Sequence, residues 1–325
     1  MQWGGLKIIA SIVAVGAAAL AASLPATADY PEKLIRIVSP YQPGGGTDIT
    51  ARLLAAKLSE AFKQPVVVEN RTGASGMIGV DAVAKSAPNG YTVLLDSPGI
   101  VMNPSLFRKV PYDPMKDLVP VAQLIAFPFV VVVHPGVPAK TLPELIEYLK
   151  RVGRQVNVAT PGASTQLAGE LFRLLADVEL TFIPYKGSAP AIAAMIAGDT
   201  QLMFSDVPSV VQHVAGGRLR ALAVTSEKRA AMLPDVPTAR EAGMKDYVVI
   251  SWYGTYVAAG TPPDIVAKLN AAFSRAVLEP DVASALARLG AEPTPASVED
   301  FTRFYRDEYA RWKEVVRRAK VPVND

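Results

Sequence analysis

A strand pattern at residues 35–38 runs through the turn Ser39-Pro40-Tyr41-Gln42-Pro43-Gly44-Gly45-Gly46 into a helix with Ile49, Leu53, Leu54, Leu58 and Phe62 on one face. That strand, turn, helix order then recurs. Residues 66–69 read as a strand and 77–85 as a helix, and Pro88-Asn89-Gly90 turns the chain into a strand at 91–95. Residues 127–133 are an unbroken apolar run, too short to span a bilayer and rich in β-branched side chains, so they read as a buried strand. A second series follows: a helix capped by Thr141 to 150, strand 156–159, helix 164–175, strand 180–184, helix 188–197, strand 201–204, helix 207–215 and strand 219–225. This alternation predicts an α/β fold in which a largely parallel sheet carries helices on both faces. A late strand at 252–257 precedes a helical tail. There Phe301, Phe304, Tyr305 and Trp312 fall at helical spacing as core positions. Two sheets with a late return predict two α/β lobes joined by two crossing segments.

The opening of the chain reads as an address. Lys7 precedes an almost unbroken apolar, alanine-rich run at 8–24, and Ala26-Thr27-Ala28 presents small residues where a signal peptidase cuts. Residues 1–28 are therefore expected to be a signal peptide cleaved after Ala28, which places the protein in the periplasm. Pro25 and the Ala-x-Ala ending favour cleavage over an uncleaved membrane anchor. The sequence has no cysteine, which excludes disulfides and thiolate chemistry and suits an oxidising compartment. A net charge of +3 with scattered Lys and Arg leaves no nucleic-acid footprint.

The glycine turn has the make-up of an anion site. Gly44, Gly45 and Gly46 let backbone N–H groups approach a ligand, and Thr47 or Asp48 is placed to cap a helix whose positive end faces the same point. A nucleotide P-loop would need Lys and Ser/Thr after its last glycine, and a dinucleotide fingerprint a further glycine; Thr47, Asp48 and Ile49 stand there instead. In an open α/β sheet, ligands sit beyond the carboxyl ends of the strands. A cleft between the lobes would bring together the loops at 40–48, 96–99, 159–165 and 204–207, with Ser97 in the second. Asp206 follows a strand and is read either as a ligand-selecting carboxylate or as the cap of the helix at 207.

Catalysis has little to stand on. The two histidines, His134 and His213, neighbour no nucleophile, and Gly73-Ala74-Ser75-Gly76 misses the spacing of a nucleophile elbow by one residue. No metal-ligand motif and no cofactor fingerprint is present. Lys186 is the cation near a candidate loop, read equally as solvent-facing or ligand-facing.

Several blocks together resemble one family. These are the turn at 43–48, Ala168-Gly169-Glu170-Leu171-Phe172, Pro184-Tyr185-Lys186-Gly187-Ser188-Ala189-Pro190, Leu219-Arg220-Ala221-Leu222-Ala223-Val224-Thr225, Leu233-Pro234-Asp235-Val236-Pro237-Thr238 and Ser251-Trp252-Tyr253-Gly254. In order and along the whole of the chain after residue 28, they resemble the Bug-type solute-binding receptors of tripartite tricarboxylate transporters. The resemblance implies a type II periplasmic binding-protein fold, with one lobe from 29–130 and 251–325 and the other from 131–250. It also implies a small organic carboxylate as ligand, no cofactor, and membrane permease subunits as partners. Carried over by position, Tyr41 and the turn Gly44 to Asp48 form one jaw, and Pro161, Gly162, Ala163, Ser164 and Thr165 the other. The chain departs from the family pattern at 161–167 and at Ser205-Asp206, which bears on ligand identity. The alternatives from other classes are a ligand-sensing partner of a membrane signalling protein, whose periplasmic sensor domain would replace the permease, and a periplasmic hydrolase.

Overall fold

The first βα units form as their patterns require. In the computed structural model, β1 (Ile35–Ser39) lies between β2 (Val66–Asn70) and β3 (Thr92–Asp96), parallel to both. Helix α1 (Gly46–Phe62) joins β1 to β2 and buries Ala51, Leu54, Ala55 and Leu58; α2 (Met77–Ala84) joins β2 to β3. Residues 30–185 and 187–323 are described, so the expected signal peptide and Lys186 lie outside the described residues. Of a separate unit at 1–32, only Tyr30, Pro31 and Glu32 are described; residues 33–325 form the other unit.

Beyond β3 the chain makes two elements that its pattern hid. Helix α3 (Gly99–Leu106) contains Pro104 and is buried on nearly every side, so it carries no amphipathic period. Strand β4 (Leu118–Val133) is 16 residues long, and the expected strand at 127–133 covers only its last seven. Pro120 and Gln123 interrupt the earlier part, and the pairing with the neighbouring strand shifts register at those two places.

The second series matches its periodicity to within a residue or two. It comprises α4 (Leu142–Val152), β5 (Asn157–Thr160), α5 (Ala163–Ala176), β6 (Thr181–Pro184), α6 (Ser188–Ala197), β7 (Leu202–Asp206), α7 (Val207–Ala215) and β8 (Arg220–Val224). At the start of α4, Thr141 accepts from the Glu144 N–H, and Glu144 accepts from the Lys140 N–H. The chain ends with β9 (Ile250–Ala258), α8 (Pro263–Leu278), α9 (Pro280–Ala287), the short β10 (Glu292–Pro293) and α10 (Val298–Ala319).

The strands run β2-β1-β3-β9-β4-β7-β5-β6, with β8 and β10 also on β4. One expectation is corrected here. The sheet is parallel only towards its two ends, because β9 and β4 are antiparallel to their neighbours. The two expected sheets are present and share a strand: residues 118–128 of β4 pair with β9 and 129–133 with β7 and β8, so β4 links both into one continuous path.

Aromatic side chains fasten α10 to β9. Trp252, Phe301 and Trp312 are fully buried, Trp252 meets Phe301 edge-on at 5.8 Å, and Tyr256 lies 5.2 Å from Tyr305. Buried among them, Glu308 accepts hydrogen bonds from the indole N–H groups of Trp252 (3.3 Å) and Trp312 (2.9 Å). The tail aromatics that recur at helical spacing are thus packing residues, with Phe304 half-buried.

Candidate ligand-binding site

The glycine turn leaves β1 at Ser39 and enters α1 at Gly46, and a buried carboxylate holds it in shape. Gly45 is the N-cap residue, with no side-chain cap, so the expected capping by Thr47 or Asp48 does not occur. Asp48 instead sits in the first turn of α1, where its carboxylate accepts from the Gly44 N–H (2.9 Å), the Asn70 amide (2.9 Å) and Arg52 (3.0 Å). Burial opposes its charge, but Arg52, the Gly44 amide and Asn70 outweigh that and hold the Asp48 carboxyl below its ordinary value. The Gly44 N–H is therefore spent on Asp48. The N–H groups of Gly46 and Thr47 remain at the helix start, where no intrahelical acceptor exists. Thr47 is buried and accepts from the Ser39 hydroxyl at 3.2 Å.

Two tyrosines fix the surroundings. The Tyr41 hydroxyl lies 2.9 Å from Ser97 Oγ at the end of β3, and a Cβ on Gly76 or Gly99 would press on the Tyr41 ring or hydroxyl. The Tyr253 hydroxyl of β9 occupies the space where a Cβ on Gly46 would lie. Gly46 is thus required for close approach of a side chain, not for an unusual φ. Tyr253 packs edge-on against Phe127 at 5.0 Å, and burial, then Asp206 and Asp96, raises its phenol well above the ordinary value.

The other candidate loop follows β5. Gly162 is the N-cap of α5 in extended backbone, and Thr165 takes the role of a capping side chain: its Oγ1 accepts from the Gly162 N–H at 3.2 Å and donates to the Gly162 carbonyl at 2.8 Å. Pro161, Ala163 and Ser164 complete the start of the helix. Asp206 ends β7 and is the N-cap of α7, accepting from the Ser209 N–H at 3.0 Å. Burial raises its carboxyl above the ordinary value.

The structure therefore pairs Tyr41 with Ser97 at the end of β3 and Gly46 with Tyr253, whose phenol feels the charges of Asp206 and Asp96. The loop at 161–165 and Asp206 lie at the carboxyl ends of adjacent parallel strands, since Ala159 of β5 pairs with Met203 of β7. Tyr253, Asp96 and Asn70 escaped the sequence reading. The signal for Tyr253 lay in Trp252-Tyr253-Gly254, where alternation in a strand puts neighbours on opposite faces: Trp252 towards α10 and Tyr253 towards the glycine turn. Cavities of about 350 Å³ beside Arg220 and about 270 Å³ beside Tyr305 lie away from these loops. Arg220 is engaged by the carbonyls of Val137 and Ala139.

His134 Nδ1 accepts from the Gly136 N–H at 3.0 Å, and burial followed by Arg218 lowers the His213 imidazole below its ordinary value. Among the described residues no cluster of three or more His, Asp or Glu could hold a metal, and no helix is long and apolar enough to cross a membrane.

The profile of the tripartite tricarboxylate transporter family receptor matches residues 50–321. The chain belongs to that family. It is 38% identical to protein BugT of Bordetella pertussis over 312 residues, 94% of this chain and 96% of that one. Among solved structures, a Rhodopseudomonas palustris protein with adipate aligns with a TM-score of 0.85 at 34% identity, covering 91% of this receptor and 100% of the other. MatC from Rhodopseudomonas palustris with bound malate gives 0.82 at 34%, covering 88% and 100%. The periplasmic binding protein BugD gives 0.83 at 32%, covering 91% and 100%. The fold of this receptor is that of these periplasmic binding proteins.

Proposed function

We propose that this receptor, cleaved after Ala28 and released to the periplasm, captures a small organic carboxylate and delivers it, chemically unchanged, to the membrane permease subunits of a tripartite tricarboxylate transporter. The observation that carries this reading is the start of α1: backbone donors at a helix N-terminus, with the Tyr253 hydroxyl against Gly46 and the Tyr41 and Ser97 hydroxyls paired at the end of β3. Adipate and malate in two relatives point to the same class of ligand.

The turn with Tyr41, Gly45, Gly46 and Thr47 forms one jaw and residues 161–165 the other, with Asp206 between them. Residues 29–130 and 251–325 make one lobe and 131–250 the second, hinged where β4 passes from β9 to β7 near Phe129. Each charge-assisted hydrogen bond from a backbone amide contributes about 1.5–3 kcal/mol, so four or five, less the cost of association, suffice for a dissociable micromolar complex. A thermal-shift panel of mono-, di- and tricarboxylates, including adipate and malate, tests the reading. Stabilisation by at least one, with the ligand recovered intact by NMR, is expected; no response across the panel, or a reaction product, overturns it.

A further inference from the structure

Strand β3 ends on a carboxylate that anion capture alone does not explain. Asp96 is 1% exposed, and its Oδ1 accepts from the Ser97 N–H at 2.7 Å and, at a long 3.5 Å, from the Ser97 hydroxyl. Ser97 Oγ is in turn 2.9 Å from the Tyr41 hydroxyl, a pair in which either oxygen can donate. Asp96, Ser97 and Tyr41 therefore form a cluster of proton-bearing groups running from the sheet interior to the jaw, in which Tyr41 also hydrogen-bonds Asp96 directly. The other titratable groups facing Asp96 are Tyr112 before β4, Tyr253 and Tyr256 of β9, and Tyr305 of α10. All of these phenols, and Tyr41, are raised by burial and stay protonated at neutral pH. No Lys, Arg or His among the described residues contributes to the titration of Asp96, and burial pushes its carboxyl up to about 7. The Tyr256 hydroxyl is itself buried without a hydrogen-bond partner.

Counting protons along the chain decides what Tyr41 can offer. When Asp96 is ionised, it takes the Ser97 hydroxyl hydrogen, the Tyr41 hydrogen goes to Ser97 Oγ or to Asp96 itself, and the phenolic proton is spent inward. When Asp96 is neutral, its own proton goes to Ser97 Oγ, the Ser97 hydrogen goes to the Tyr41 oxygen, and the phenolic hydrogen is free for a ligand oxygen. The carboxylate charge works in the same direction, since it repels an incoming anion across a water-poor interior. Building on the carboxylate-receptor reading, we propose that Asp96 is a positioning residue that acts through Ser97 and Tyr41 so that the ligand anion and one proton bind together.

The test is calorimetric titration of the purified protein with adipate and with malate at pH 6.5 and 8.5, a range in which both diacids stay doubly ionised. If only the neutral-Asp96 form binds, wild-type affinity falls roughly twentyfold between the two pH values, and uptake at pH 8.5, read from two buffers of different ionisation enthalpy, approaches about one proton per ligand. Asp96→Asn, whose amide donates to Ser97 Oγ as the neutral acid does, is expected to bind equally at both pH values without proton uptake. Tyr41→Phe is expected to weaken binding at pH 6.5 and flatten the dependence. Wild-type affinity that ignores pH overturns the inference alone, as does an Asp96→Asn slope equal to wild type, which would assign the proton to Asp206. Should that variant fail to fold, the wild-type proton count decides. Failure of these diacids and of the full carboxylate panel to bind at either pH overturns the receptor reading, and the inference with it.

Discussion

Gly46→Ala isolates the close approach of Tyr253 to the start of α1. A methyl group at Gly46 would land on the Tyr253 hydroxyl, whereas the next atoms, Cζ and Cε2, are 3.3 and 3.4 Å away. Alanine is otherwise favoured in a helix over glycine by up to about 1 kcal/mol, so any loss of stability has to come from the collision. Overpacking of this kind costs about 1–3 kcal/mol, which with the full helix gain leaves a net destabilisation of up to about 2 kcal/mol. Tyr253→Phe removes only the colliding oxygen and alone should change stability by less than about 1 kcal/mol. In the double variant the collision is gone, so the two changes should couple by the whole collision cost, about 1–3 kcal/mol, with the double variant more stable than their sum. Urea unfolding of the four proteins measures this directly. Additivity to within about 0.5 kcal/mol would refute the packing argument and return Gly46 to an ordinary helix position. The same cycle read by ligand titration should show Gly46→Ala weakening carboxylate binding by about tenfold or more, about 1.4 kcal/mol.

Asp206→Ala is expected to lose the cap of α7 and about 1 kcal/mol of stability, whereas Asp206→Asn keeps the cap and should shift preference between ligands with and without a hydroxyl or amino group at a nearly constant melting temperature. A fall in stability with the ligand ranking preserved would leave Asp206 only its capping role. Glu308→Ala strips two buried indole N–H groups of their acceptor and should cost about 3 kcal/mol, Glu308→Gln about 1 kcal/mol; chemical denaturation with tryptophan emission as the signal distinguishes them, and equal, small effects would contradict the burial. Small-angle scattering should show a smaller radius of gyration at saturating ligand than without it, and superimposable profiles would rule out closure about β4.

The elements with a clean period were legible in the sequence because one face of each is buried. For α4, the Thr141 cap and Glu144 mark the start as plainly as the periodicity marks the body, and α7 was bounded to the residue. Helix α3 left no trace because Ile100, Val101, Met102 and Leu106 are all buried around its circumference, and the first half of β4 was masked by Pro120 and Gln123 at register shifts. The antiparallel centre of the sheet could not be read, since it is set by where β9 inserts and not by any local pattern. In the site, residues near in sequence were legible as a turn of glycines before a helix. Tyr253, more than 200 positions away from Gly46, was not, and Asp96 looked like an ordinary strand end.

The placement of β9 between β3 and β4 governs how the chain can fold. Thr255 reaches back to Ala122, 133 residues earlier, Gln123 meets Thr294 across 171, and Tyr305 meets Pro114 across 191. Contacts of such high order are closed late and slowly, because loop entropy is lost before burial compensates it. A chain stopped before Ile250 would leave the facing edges of β3 and β4 bare and the buried side of the sheet without α10, an aggregation-prone intermediate instead of a smaller receptor. Completion of the last 76 residues, from Ile250 to Asp325, is thus the event that commits the earlier part to its structure. A polypeptide built this way reaches its full sheet only once its last quarter has joined.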